Sequence, residues 1–194
     1  MTTVLIGLFG LIIGSFLNVV ACRYDGAGSL LFSRRIGGRS RCVSCNKTLR
    51  WYELAPLVSF VFQLGRCRGC RARISWQYPV VELAAALTLA GAPVLAATLS
   101  RVEFVAAGGP LPLWYYLLTI CFALAGLTLI LAAAIDARLS LIPDQATLLV
   151  ALLGIAVSVL AWRYEFFGML EGSFVAHYGA LFGFRDSIVV NRLV

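Results

Sequence analysis

Four cysteines carry the plainest chemical signal in this 194-residue chain. They form two pairs, Cys42-x-x-Cys45 and Cys67-x-x-Cys70, with residues 46–66 between them. A short turn between two thiols lets both point at one ion. Two such turns facing each other supply four thiolates in a tetrahedron, which suits structural zinc. Lys47 and the arginines nearby would offset the negative charge of a tetrathiolate centre. A disulfide pair and a reactive redox pair are the rival readings. A reducing cytoplasm disfavours the first, and the doubled motif favours a metal over the second. Cys22 and Cys121 have no partner at ligand spacing and read as packing residues.

The second signal is AAAIDARLSLIPD, Ala132 to Asp144. A carboxylate directly after an apolar helix is costly to desolvate and is often functional. Asp136 therefore reads either as a working carboxylate or as a helix-end charge in contact with water. Asp144 follows Pro143, which ends the local helix, and reads as the cap of the next one.

The elements that must position these groups are apolar. The chain is 61% hydrophobic and 13% charged, with mean hydropathy +0.91, whereas a soluble domain is about half apolar and about a quarter charged. There is too little charge here to coat a soluble surface. The net charge of +7 raises the question of nucleic acid, but its distribution argues against it. Of the 16 Lys and Arg, 11 lie between Arg23 and Arg73, opposed there only by Asp25 and Glu53. Apolar runs flank that block, as they flank a cytoplasmic loop under the positive-inside rule. No phosphate-binding or stacking motif accompanies the charge, so no nucleic-acid partner is expected.

The first apolar run, Thr2 to Ala21, lacks a basic start and an Ala-x-Ala exit, so it reads as a retained transmembrane helix rather than a signal peptide. Further spans are predicted over about Pro79 to Leu99, Leu113 to Ile135 and Ala146 to Trp162. A weaker fifth, Phe166 to Phe184, contains Glu171, His177 and four glycines, and suits an interface or a polar cavity. The link Arg101 to Pro112 is an outside turn rich in Gly and Pro. The expected fold is an all-α polytopic membrane protein of four or five transmembrane helices with a small zinc-ribbon-like loop domain. Its expected segments are 1–22, 23–78, 79–163 and 164–194. With the basic loop inside, the N-terminus lies outside, and counting spans places Asp136 and Asp144 at the cytoplasmic face. Asp186 returns to that face if the fifth span crosses. No internal repeat is apparent.

Several stretches together resemble the bacterial type IV prepilin leader peptidases, membrane aspartic proteases of type IV pilus and type II secretion systems. GSFLNVVACR (Gly14 to Arg23) is similar to the family's first-helix signature. The cysteine module, with RWYELAPLVSF after its first pair, resembles its cytoplasmic zinc domain, and GRCRGCRARISWQYPVVELAAA (Gly65 to Ala86) its exit into the second span. AAAIDARLSLIPD resembles the segment carrying the first catalytic aspartate, here Asp136. These stretches occur in family order over about Gly14 to Gly154.

The resemblance departs at the end. The family's second aspartate lies in a Gly-x-Gly-Asp motif, and the nearest text here is GFRDSI, with Arg185 in the glycine position before Asp186. Asp186 reads as a degenerate second aspartate or as an accident of a truncated or frameshifted C-terminus, with Asp144 as an alternative partner. The resemblance implies a prepilin or pseudopilin substrate cleaved at the cytoplasmic face of the bacterial inner membrane. It also implies a zinc module, Cys42, Cys45, Cys67 and Cys70, forming a substrate-facing lid. Many members N-methylate the new terminus with S-adenosylmethionine, for which no glycine-rich loop stands out here. The basic loop is also expected to meet the lipid bilayer's acidic headgroups. The rival function is a catalytically incomplete protein that binds pilins or assembly partners without cutting them.

Overall fold

The computed structural model describes residues 2–26, 38–99, 113–160 and 162. Helix α1 spans Thr2–Arg23. After it comes a cysteine module with one 3-10 turn, Trp51–Glu53, and the short helix α2, Val58–Phe62. Helices α3, Gln77–Leu99, and α4, Leu113–Leu139, follow, and α5 runs over Asp144–Leu160. Among the described residues there is no strand, only two isolated antiparallel bridges. The all-α architecture with a small four-cysteine loop domain is the expected one.

Three of these helices, α1, α3 and α4, are long and apolar enough to cross a membrane. Helix α5 is shorter and sits at the low edge of the spanning range, about 17 residues. The expected fifth span and Asp186 lie outside the described residues. The observed helices outrun their apolar cores because backbone hydrogen bonding continues where hydropathy stops. Helix α1 carries on to Arg23, and α4 continues past Ile135, so Asp136 lies inside its last turns rather than after it. The Ser140 N–H donates to the Asp136 carbonyl at 2.8 Å, and Ser140 then turns out of the helix at φ 52°. Helix α5 begins at Asp144 itself, with the Pro143 carbonyl accepting from Ala146 and Thr147. Asp144 thus stands one place inside the capping position.

Helix α1 packs on α3 through glycines. A methyl group added at Gly10 would meet the Ala86 Cα at 2.6 Å, and one at Gly14 the Glu82 Cα at 2.6 Å. Between membrane helices, where lipid tails are as apolar as leucine, such close approach supplies the packing that holds the pair. Near the ends closest to the module, Val20, Ala21, Val81, Leu131, Ala134, Ile135 and Ala146 form the buried core. On the outer side of α1, Leu5, Leu8, Phe9, Ile12 and Phe16 are exposed. A bilayer is the solvent that suits such a surface.

Candidate metal centre and active site

Each cysteine pair sits in a tight turn closed by its own backbone. In the first, Cys42 N–H donates to the Lys47 carbonyl and Asn46 N–H to the Cys42 carbonyl, both at 2.9 Å. In the second, Cys67 N–H donates to Ala72 and Arg71 N–H to Cys67, again at 2.9 Å. Asn46 and Arg71, each just after the second cysteine, take up φ 55° and 58°. That left-handed step brings the chain back past its own thiols. The Arg41–Thr48 and Arg66–Arg73 bridges close the bases of the two turns.

The two turns are copies of one unit, 25 residues apart, Cys67 standing for Cys42. RCVSCNKTLRW and RCRGCRARISW share Arg, both cysteines and Trp at equal spacing. The expectation of no internal repeat is corrected here. Only four of the eleven positions are identical, and the likeness lies in hydrogen bonding and φ rather than side chains. The paired RC-x-x-C and the two tryptophans were the available signal.

Facing each other, the turns bring the Sγ atoms of Cys42, Cys45, Cys67 and Cys70 within 4.8 Å of one another. Cys42 and Cys70 are 3.8 Å apart, and the edge of a tetrahedron with 2.3 Å metal–sulfur arms is about 3.8 Å. The residues therefore fit one four-coordinate metal ion. Backbone N–H groups of Cys70 and Gly69 hold the Cys67 thiol down at about 6. At Cys70 a backbone bond from Ala72 works the same way, but burial and the bonds with Cys45, Cys42 and Cys67 prevail and push it up to about 11. Successive ionisations within the cluster oppose one another, and a bound cation removes that conflict.

Behind the turns, buried Glu53 accepts from the Arg50 N–H at 2.8 Å and pairs with Lys47 Nζ at 3.3 Å. The Arg50 bond, with help from Lys47 and Arg68, holds its carboxyl below the ordinary range against the opposing effect of burial. The Arg68 guanidinium lies 5.4 Å from the Tyr52 ring centroid.

The aspartates sit elsewhere. Asp136 is exposed in the last turns of α4, and Asp144 is exposed at the start of α5. Neither is covered by the rest of the described chain. Between the module and the helices lies a cavity of about 850 Å³. Its helix wall carries polar residues given no role by sequence reasoning: Asn18, Tyr78 and Glu82. Asn18 Nδ2 donates to the Tyr78 carbonyl at 3.1 Å, and Glu82 accepts the Leu57 N–H at 2.8 Å, tying the module to α3. Cys22, expected simply to pack, lies 3.2 Å from the Tyr78 hydroxyl. A carboxylate inside an apolar helix was the signal that could have found Glu82.

Residues 8–98 match the family model of the bacterial peptidase A24 N-terminal domain. This part of the chain belongs to that family. The match takes in most of α1, the whole cysteine module and nearly all of α3. The prepilin leader peptidase/N-methyltransferase of Bacillus subtilis (strain 168) is 42% identical over 87 residues, 45% of this chain and 33% of its own length. That of Myxococcus xanthus (strain DK1622) is 46% identical over 76 residues, 39% of this chain and 21% of its own. That of Dichelobacter nodosus is 33% identical over 202 residues, covering 92% of this chain and 62% of its own. The matched stretches thus span less than two thirds of these relatives. No solved structure matches the chain. The resemblance to prepilin leader peptidases is borne out.

Proposed function

We propose that this chain is a membrane aspartic endopeptidase that removes the leaders of type IV prepilins or type II secretion pseudopilins, with N-methylation of the new terminus as its second activity. The observation that carries the reading is the similarity to the Dichelobacter nodosus prepilin leader peptidase over 92% of the chain. A stretch that long must include both the cysteine module and Asp136. In this reading Cys42, Cys45, Cys67 and Cys70 hold zinc, which supplies the cross-link that folds the module. The module faces the cytoplasm of a bacterium, over the inner-membrane helices, as a lid toward the substrate. S-adenosylmethionine is the methyl donor.

Asp136 is the first working carboxylate. Its exposure in the last turns of α4 supports the role, because water must reach it. Asp136 and a second carboxylate share a proton; one activates water while the other protonates the scissile amide. Asp186 is the partner by sequence, and Asp144 the alternative. A leader-cleavage assay in membranes holding this chain alone tests the scheme. Asp136→Asn should abolish cleavage, since the amide keeps the shape but cannot ionise. Loss on Asp186→Asn identifies the partner, and unchanged activity there turns the assignment to Asp144. Robust cleavage by Asp136→Asn sinks the aspartic mechanism. The second reading, pilin binding without cutting, rests on Arg185 in place of glycine, and the same assay on the unaltered chain separates the two.

A further inference from the structure

Helix α2 of the cysteine module buries none of its residues, although four of its five are apolar. Val58, Val61 and Phe62 are exposed, Phe62 at 78%, and Leu64 just beyond them is 85% exposed. Leu57 and Leu64 turn the chain sharply at either end, at φ 56° and 51°, values that residues other than glycine seldom adopt. The helix is thereby set apart as a short apolar projection. Its Phe60 ring packs on that of Trp76, with centroids 5.0 Å apart. Trp76 directly precedes α3 and is itself 72% exposed, so α2 stands beside the entrance of that span.

Helix α3 also fixes the depth of the projection. The Leu57 N–H donates to Glu82 at 2.8 Å, and Glu82 lies a turn and a half inside α3, which starts at Gln77. From Glu82 to the end of α3 at Leu99 the rise is about 25 Å, less than the roughly 30 Å of a bilayer's hydrocarbon. If α3 crosses the membrane, the apolar layer must begin on the module side of Glu82, near the level at which Leu57 and α2 are held. The flanking charge has one sign. No Asp or Glu stands between Glu53 and Glu82, whereas Arg66, Arg68, Arg71 and Arg73 all do, and all four are exposed. Apolar side chains at the hydrocarbon edge beside a purely basic surface match a bilayer with anionic headgroups.

We propose that α2, with Leu64 and Trp76, dips into the boundary between headgroups and acyl chains of the membrane that α3 crosses, and anchors the cysteine module to it. Trp76 then occupies the headgroup level that tryptophan favours at the ends of membrane spans. The anchor needs α3 to span the membrane and does not depend on the peptidase reading.

The test uses the full chain with its metal bound, in nanodiscs of phosphatidylglycerol and phosphatidylethanolamine. The photocrosslinking residue benzoylphenylalanine replaces Phe62, or, as a reference, Phe9 on the exposed side of α1. Mass analysis after illumination sorts the adducts into lipid and protein. Position 62 should give lipid adducts at a yield within about twofold of position 9, as expected of a side chain resident among acyl chains. No lipid adduct at position 62, whatever position 9 yields, overturns the proposal. Adducts at position 62 that are chiefly to a second copy of the chain, or to an added apolar peptide, overturn it as well and make α2 a protein-docking face. Metal content equal to that of the unaltered chain shows that the module is folded. If replacement at Phe62 lowers it, the same residue in place of exposed Val58 gives the reading. Leader cleavage enters neither outcome, so the peptidase reading stands or falls separately.

Discussion

Four thiols within 4.8 Å of one another cannot all give up their protons without a cation among them. The cysteine module should therefore purify with about one metal ion per chain, counted by metal analysis. Cys42→Ser should lose that ion and leave the module open to protease, because metal binding and folding are one equilibrium in so small a unit. Absence of metal from unchelated protein, with all four thiols titrating as free, removes the site. Glu53 makes a different contribution. Its folded value lies below the ordinary 4.5, chiefly through the Arg50 N–H. A group depressed in this way stabilises fully above its unfolded value and loses that contribution as pH falls through the folded one. Glu53→Gln should therefore destabilise the module by roughly 1–3 kcal/mol at neutral pH. The gap from the unaltered chain should close progressively below pH 4.5. Melting curves of both proteins across that range check the sign, and a gap that widens in acid refutes it.

Helices α1 and α3 are held by shape more than by chemistry. Gly14 lets the two backbones touch, and a Cβ there would sit 2.6 Å from the Glu82 Cα, which belongs to rigid main chain. Gly14→Ala should destabilise the pair by about 1–3 kcal/mol, the usual cost of overpacking. It should also displace Glu82 and with it the Leu57 anchor of the module. Gly7 on the same helix meets nothing within 4 Å, so Gly7→Ala is the control and should be neutral or slightly stabilising. Unfolding in mixed detergent compares the two, and equal effects at both positions mean that the α1–α3 contact carries little of the stability.

At the scale of the molecule, charge and hydropathy predict an orientation. Eleven of the 16 basic residues lie between Arg23 and Arg73, flanked by apolar spans, and under the positive-inside rule the proposed topology puts that region in the cytoplasm. A single cysteine placed in the Arg101 to Pro112 link should then react with an impermeant reagent from outside intact cells. Labelling only after the membrane is broken inverts the topology and puts Asp136 on the wrong side for the proposed cleavage.

The amino-acid sequence by itself determined the long apolar helices and singled out the four cysteines that come together. In lipid the backbone must satisfy its own hydrogen bonds, so a long apolar run has little choice but a helix. The chelating turns are equally local, with only two residues between the thiols of each pair. Helix ends were less legible, since hydropathy stops at Ile135 while hydrogen bonding carries α4 on to Leu139. The cavity wall belongs to the tertiary structure alone. Asn18 meets Tyr78 from 60 residues away, and Glu82 meets Leu57 across the module. Those encounters depend on how each helix is rotated about its axis, and the close contacts of Gly10 and Gly14 with α3 set that rotation. Hydropathy is nearly uniform around these helices and contains no record of it.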